Sequence, residues 1–258
     1  MLKIENLHVS VDNKDLLRDI NFQLDSGSYL CVLGANGAGK STLIKAIMGI
    51  TAVSSGTISF NDTNLLTQQQ KQRARYMSYL CQSTTHSIQF SVTEFIKMAR
   101  YPYHQGFAEW SHADQKSYDE AIAITDTEQF LKRRIETLSG GERQRVMIAA
   151  AVCQDTPLLL LDEPSSFLDP FHQIEVQNLI KNLHRHHHKT IIEVTHDLNH
   201  AVQNSQQILA LKQGHCLWHG QAADLLQSPE LEQIYGQEFV ISQHPQTGKP
   251  IALSRVHH

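Results

Sequence analysis

The sequence predicts an α/β protein with a mostly parallel core sheet, and three observations carry that prediction. Short β-rich segments alternate with helical patterns along the chain. One of them, Tyr29–Leu33, runs into a glycine loop and then a helix. Another, Leu158–Leu161, is continuously apolar, as a strand buried on both faces of a parallel sheet must be.

Taken in order, residues Leu2–Leu24 alternate apolar and polar around a turn signal at Asp12-Asn13, which predicts two or three antiparallel strands. Tyr29–Leu33 is a strand and Thr42–Met48 a helix. Gly56–Phe60 is a strand that turns at Asn61-Asp62, Gln68–Arg75 a polar helix, and Met77–Cys81 a strand ending at Gln82. From Ser91 to about Leu131 the pattern is helical, broken at Tyr101-Pro102-Tyr103 and Gly106. A helix over Leu138–Val152 opens at a Ser-Gly-Gly turn. The strand Leu158–Leu161, a helix over His172–His184 and the strand Thr190–Val194 follow. Strands at Gln207–Leu211 and Cys216–His219, a helix at Ala222–Gln227, the segment Pro229–Tyr235, and short strands near Phe239–Ile241 and Pro250–Leu253 complete the chain. No internal repeat or linker divides it.

Composition narrows the function. The chain has 258 residues, 41% hydrophobic and 19% charged, which suits a soluble globular protein with a sizeable core. A net charge of -4 disfavours nucleic acid or an anionic membrane surface as a main partner. No apolar run approaches the roughly 18 residues of a membrane span, and the N-terminus lacks a signal-peptide pattern, so a cytosolic location is expected. The four cysteines form no CxxC pair, and Cys31 and Cys153 lie in apolar segments as packing residues. The tract His184–Lys189 has the composition of a metal tract, yet a solvated helix end before Thr190 is the better account of it.

Three motifs carry chemistry. Gly34-Ala35-Asn36-Gly37-Ala38-Gly39-Lys40-Ser41-Thr42, set between a strand and a helix, is a phosphate loop. Its glycines let backbone N–H groups crowd around phosphate oxygens at a helix N-terminus. Lys40 adds charge near the β- and γ-phosphates, Ser41 offers a hydroxyl to Mg²⁺, and Thr42 assists at the α-phosphate. In Leu158–Pro164, Asp162 emerges at a strand end to hold Mg²⁺ through water, and Glu163 orients the attacking water. The competing reading is that Asp162-Glu163 caps the next helix. In Leu138–Arg145, Ser139, Gly140 and Gly141 form a second anion-binding turn or, alternatively, an ordinary helix cap.

Together and in this order the motifs resemble the nucleotide-binding subunits of ABC (ATP-binding cassette) transporters, across essentially the whole chain. The resemblance implies a P-loop ATPase with a mostly parallel core sheet, an antiparallel β subdomain and a helical subdomain. It implies one nucleotide-binding domain over 1–258, with the helical subdomain at about 83–155 and a small C-terminal extension at about 222–258. It implies ATP and Mg²⁺, and a head-to-tail homodimer in which each ATP lies between Lys40 of one copy and Ser139 of the other. His196 then contacts the γ-phosphate, Gln82 touches Mg²⁺ and the water, and Asp169 lies in a loop crossing the interface. Val11 falls where the family places an aromatic residue on adenine, which predicts weak base selectivity. Ala150 stands where many relatives carry arginine.

Ala99-Arg100-Tyr101-Pro102, His196-Asp197-Leu198-Asn199 and the tail His244–Pro250 are most similar to the metal-chelate importer branch, which serves iron–siderophore, haem or cobalamin. That branch implies a subunit peripheral to the cytoplasmic face of the cell membrane. Its partners are integral membrane permease subunits and, indirectly, a periplasmic or extracellular substrate-binding protein, with no nucleic acid. Tyr101, Tyr103, Phe107 and Trp110 either receive a coupling helix of the permease or form ordinary core. Competing readings are an export subunit, a soluble ABC protein acting on nucleic acid or ribosomes, and an ATP-binding regulator that does not hydrolyse.

Overall fold

The computed structural model describes residues 1–82, 89–104, 109–245 and 248–255. The chain divides into two compact units, Met1–Gln68 with Thr190–His258, and Gln69–Lys189. Gly106, Phe107, Gln246, Thr247, His257 and His258 lie outside the described residues.

The first unit opens with β1 (Leu2–Val11) and β2 (Lys14–Leu24), paired antiparallel. Asp12 and Asn13 both take positive φ, 50° and 60°, as a tight hairpin matched to strand twist requires. Next come β3 (Tyr29–Leu33), buried at every residue, and α1 (Lys40–Ile47). β4 (Ser55–Phe60) pairs with the other edge of β1, and β5 (Thr63–Asn64) follows it. The result is an antiparallel sheet in the order β2-β1-β4-β5.

The second unit contains α2 (Gln70–Arg73), β6 (Met77–Leu80), α3 (Val92–Met98), α4 (His112–Thr125), α5 (Gly140–Cys153), β7 (Leu158–Asp162) and α6 (Pro170–Arg185). β6 and β7 pair in parallel, with Met77 opposite Leu158 and Leu80 opposite Leu161. Both α3 and α4 pack on α5, whose stretch Ile148–Cys153 is buried. Serine capping boxes start all three helices, Ser91 with Glu94, Ser111 with Asp114, and Ser139 with Glu142. The polar helix expected over Gln68–Arg75 is shorter. Asn64 caps a 3₁₀ turn at Leu65–Thr67, and Gln68 and Gln69 are extended, so the α-helix starts only at Gln70. Tyr101–Tyr103 is a 3₁₀ turn with Pro102 buried in it. The histidines at 186–188 are exposed beyond the end of α6.

The chain re-enters the first unit at β8 (Thr190–Val194), followed by α7 (Leu198–Asn204), β9 (Gln207–Lys212), β10 (His215–Gln221), α8 (Ala222–Leu225), α9 (Glu230–Tyr235), β11 (Phe239–Gln243) and β12 (Pro250–Ser254). β3 is central, parallel to β8 on one side and to β9 on the other, and β10 runs antiparallel to β9. The β11–β12 hairpin docks on α7 through Asn199, whose amide donates to the Ala252 carbonyl at 2.9 Å and accepts from its N–H at 2.8 Å. Cys31 and Cys153 are buried packing residues, and among the described residues no helix is long and apolar enough to cross a membrane.

One buried ion pair fixes the second unit's helices. Arg100, 4% exposed, donates to Asp114 at 2.8 Å and to the carbonyl oxygens of Cys153 and Gln154 at the end of α5. Burial raises the Asp114 carboxyl, but hydrogen bonds from Ser111 and the Arg100 guanidinium outweigh it and hold the group well below the usual carboxylate range. A depressed folded-state pKa contributes stability above the unfolded value of about 3.9 and loses it as pH falls toward the folded value. Asp114→Asn is therefore expected to cost about 3–5 kcal/mol near neutral pH, the cost of breaking a buried pair. Urea melts at several pH values check this. The gap to wild type should stay constant from pH 8 to 5 and narrow only below about pH 4.

Candidate functional site

The expected site residues fall in both units. Val11, the loop 34–42 and His196 belong to the first, and Gln82, Ser139–Gly141, Asp162, Glu163 and Asp169 to the second.

In the first unit β3 ends at Leu33 and the chain turns through three glycines of positive φ. Gly34 has φ 148°, and a Cβ there would stand 2.3 Å from the Leu211 carbonyl oxygen on β9. At Gly39, φ 107°, a Cβ would meet Leu17 at 2.7 Å and the Leu16 carbonyl oxygen at 3.0 Å. Only glycine fits either position. Gly37, φ 79°, forms an exposed lip with Ala35 and Asn36, whereas Ala38 is buried beneath it. Lys40 begins α1, and its buried ammonium arches back over the loop to donate to the carbonyl oxygens of Gly34 at 2.8 Å and Ala35 at 3.2 Å. Ser41 and Thr42 are half-buried in the first turn. Glycine supplies no side-chain cap, no acidic residue occupies that turn, and Lys45 lies in the last one. The helix therefore presents a positive end suited to an anion.

His196 leaves the carboxyl end of β8 beside the end of β3. The Thr195 N–H donates to the Val32 carbonyl at 3.2 Å, and the His196 side chain is exposed. Asp197 caps α7 by accepting from the His200 N–H. Val11 ends β1 and is 43% exposed.

In the second unit Asp162 closes β7 at 4% exposure, and Glu163 follows at φ 51°. A left-handed glutamate is uncommon, and here it turns the side chain away from the path of the strand. The Gln82 amide donates to Glu163 Oε2 at 3.2 Å, and the Ser166 hydroxyl donates to the same oxygen at 2.8 Å. Gln82 and Glu163 are thus brought together, as the ends of two parallel strands. Neither Asp162 nor Glu163 is the N-cap of α6. That residue is Asp169, which accepts from the N–H groups of Phe171 and His172. Ser139 does cap α5, accepting from the Glu142 N–H at 3.3 Å while Glu142 accepts from the Ser139 N–H at 2.8 Å. Both Ser139 and Gly140 are exposed.

Three supporting residues escaped the sequence reading. Tyr79 donates to Asp162 at 3.4 Å, and burial together with the Asp162 charge pushes its hydroxyl well up, so it stays a donor. Gln144 ties the helix of the Ser-Gly-Gly turn to the Pro164 carbonyl at 2.6 Å. His172 bonds Asp169 at 2.6 Å and packs on Gly141, where a Cβ would come 2.0 Å from the imidazole. No motif marks Tyr79, and Gln144 lies inside one but points inward. Only the spacing of three residues from Asp169 hinted at His172.

Residues 17–166 match the ABC transporter family. The iron(3+)-hydroxamate import ATP-binding protein FhuC of Bacillus subtilis is 34% identical over 253 residues, covering 98% of this chain and 94% of that protein. The hemin import ATP-binding protein HmuV of Pseudomonas fluorescens Pf0-1 is 34% identical over 260 residues, covering 99% of this chain and 100% of that protein. Among solved structures, a metal-chelate type ABC transporter in an inward-facing conformation aligns with a TM-score of 0.85 at 26% identity, covering 99% of this chain and 97% of that one.

The contact between Gly141 and His172 has a measurable consequence. Gly141→Ala should destabilise the protein by about 1–3 kcal/mol through overpacking. Adding His172→Ala should recover part of that loss, because it removes the clashing ring. Denaturant melts of the two single variants and the double variant check the coupling.

Proposed function

This chain belongs to the ABC transporter family, and on that premise we propose that it is the ATP-hydrolysing subunit that powers import of a metal chelate through a partner membrane permease. The observation that carries this reading is the glycine cradle at 34–39 with Lys40 folded over it, a site shaped for the phosphates of a nucleotide. Likeness to FhuC and HmuV favours iron–siderophore or haem as cargo over cobalamin. In this reading the permease and an outer binding protein select that cargo. In this reading the subunit sits peripherally at the cytoplasmic face.

The loop's backbone N–H groups and Lys40 bind the phosphates, with Asn36, Ala38 and Thr42 lining the same turn. Val11 packs on the base. In this reading Ser41, Gln82 and Asp162 would each offer an oxygen to Mg²⁺, a hard ion bound partly by substrate phosphates. When bound, Mg²⁺ neutralises charge on those phosphates. Glu163 accepts a proton from the attacking water, Gln82 holds that carboxylate in place, and His196 donates toward the terminal phosphate.

Ser139, Gly140 and Gly141 act on the ATP of a second copy, and Asp169 lies at the same interface. Ser139 keeps its capping lone pair in use while its O–H remains able to turn outward, because a hydroxyl carries one donor and two acceptor positions. Two such sites related by a twofold axis make a closed dimer.

Replacing Glu163 by Gln should lower ATP turnover by at least about 10²-fold, the lower range for losing a general base, while ATP binding persists. The variant purified from native membranes with ATP and Mg²⁺ should carry a multi-span permease, identified by mass spectrometry. Recovery of ribosomal or nucleic-acid partners without a permease would overturn transport. Without an aromatic stack worth about 1–3 kcal/mol, GTP should support hydrolysis within about tenfold of ATP. A steady-state comparison of the two nucleotides tests the assignment of Val11.

A further inference from the structure

On the dimer reading given above, we propose that His172 is a positioning residue. It locks the Ser-Gly-Gly turn and the Asp169 loop of one copy into a single block, so that both meet the ATP of the second copy in fixed register.

α5 starts at the Ser-Gly-Gly turn and α6 starts at Asp169. His172 stands in the first turn of α6, and its half-buried ring touches both starts. Nδ1 lies 2.6 Å from Asp169 Oδ2. Hydrogen bonds from the ring and from the His172 N–H hold the Asp169 carboxyl below its ordinary value, so it is ionised and only accepts. The ring therefore donates through Nδ1. It also lies against Gly141, where a Cβ would stand 2.0 Å from Cδ2 and 2.4 Å from Cγ. Leu168, just before Asp169, reaches Gly140, where a Cβ would come 3.6 Å from its Cδ2. Two consecutive glycines of one turn are thus covered by two side chains of the other.

Helix capping does not account for this link. The cap uses Asp169 Oδ1, which accepts from the N–H groups of Phe171 at 3.0 Å and His172 at 3.1 Å. The ring takes the other oxygen. Stability does not account for it either, because the Asp169 side chain is 59% exposed and a pair so exposed adds little. What the ring supplies is a fixed distance between two turns. Deeper along the same pair of helices the contact is already tied. Gln144 donates to the Pro164 carbonyl at 2.6 Å, and Arg145 donates to Glu175 at 2.8 Å, one turn beyond Gly141 and His172. Ser139, Gly140 and Asp169 are exposed at the starts of these helices, and His172 carries the rigidity of the helix pair out to them.

In the dimer both turns of one copy act at the nucleotide site of the other. Joined, they seat together. Separated, each must find its place alone, which costs rate and leaves the grip of the phosphate loop untouched.

The test uses the full transporter purified from membranes. His172→Ala should melt within a few degrees of wild type and keep its KM for ATP within about twofold. Its kcat should fall about tenfold, since ångström-scale misplacement costs up to about 10²-fold. His172→Asn keeps a donor for Asp169 and His172→Phe keeps a ring for Gly141, so each should retain more of the rate than His172→Ala. Wild-type kcat in His172→Ala would overturn the proposal. Mixed dimers, purified through two different tags, locate the effect. One copy carries Lys40→Ala, which leaves the working phosphate loop in the other copy. Adding His172→Ala to the Lys40→Ala copy should lower the rate about tenfold, and adding it to the other copy should leave the rate unchanged. The reverse pattern, or equal loss from either placement, would overturn the proposal. Ser139→Arg in the same two placements is the control. If Ser139→Arg acts across copies and His172→Ala does not, the link fails and the dimer reading stands. If Ser139→Arg acts within its own copy or in neither, the dimer reading fails and the link falls with it. Where the reference dimer turns over too slowly to read, occlusion of labelled ATP with Glu163→Gln in both copies replaces the rate, with the same pattern expected. Should His172→Ala not fold, His172→Asn takes its place in the mixed dimers on the same criteria.

Discussion

Two strands paired in parallel must release their chains at the same edge of the sheet, and this requirement organises the site. β3 and β8 run side by side and deliver the phosphate loop and His196 from neighbouring ends. β6 and β7 do the same in the other unit, so Gln82 and Glu163 emerge within hydrogen-bonding distance. The strands can be this short because nearly all of their residues are buried. Apolar burial of roughly 1.5–3 kcal/mol per large side chain anchors the polar residues that follow each strand.

Most polar groups among these residues and at the neighbouring helix starts of the second unit also serve the fold. Ser139 and Asp169 cap helices, Glu142 completes a capping box, and Ser166 and Gln82 satisfy a glutamate with left-handed backbone. The choice between a structural and a chemical reading of Ser-Gly-Gly was therefore not exclusive. A capped helix start already has its first N–H groups arranged toward one point, which is what an anion needs. Capping keeps the turn rigid until a ligand meets it.

The strands were legible because burial on both faces leaves a continuous apolar run, and Tyr29–Leu33 and Thr190–Val194 fell on their expected bounds. Glycines at 34 and 39 were legible because neighbouring atoms leave no room there for a side chain, and Gly37 because its φ of 79° disfavours one. Polar helices were harder to read. Gln68–Arg75 carried no apolar stripe to mark its register, and the Asn64 side chain started a 3₁₀ turn instead. Contacts between residues far apart in sequence, such as Tyr79 with Asp162 or Tyr29 with Glu193, leave no local pattern at all. They follow from which strands pair, and a single sequence does not state that.

The order in which the ribosome releases this chain gives the split of the first unit a consequence for biogenesis. β3 finds its parallel neighbours only in β8 and β9, and Leu211, the carbonyl against which Gly34 is shaped, lies on the last of these. Until that strand has been synthesised, the glycine loop has no floor. Residues 69–189 form an uninterrupted compact unit that can gather first during synthesis, whereas the first unit waits for distant segments, and non-local pairing is intrinsically slow. A nascent chain thus carries its nucleotide motif long before it can grip a nucleotide, and the loop gains its floor only once β9 has left the ribosome.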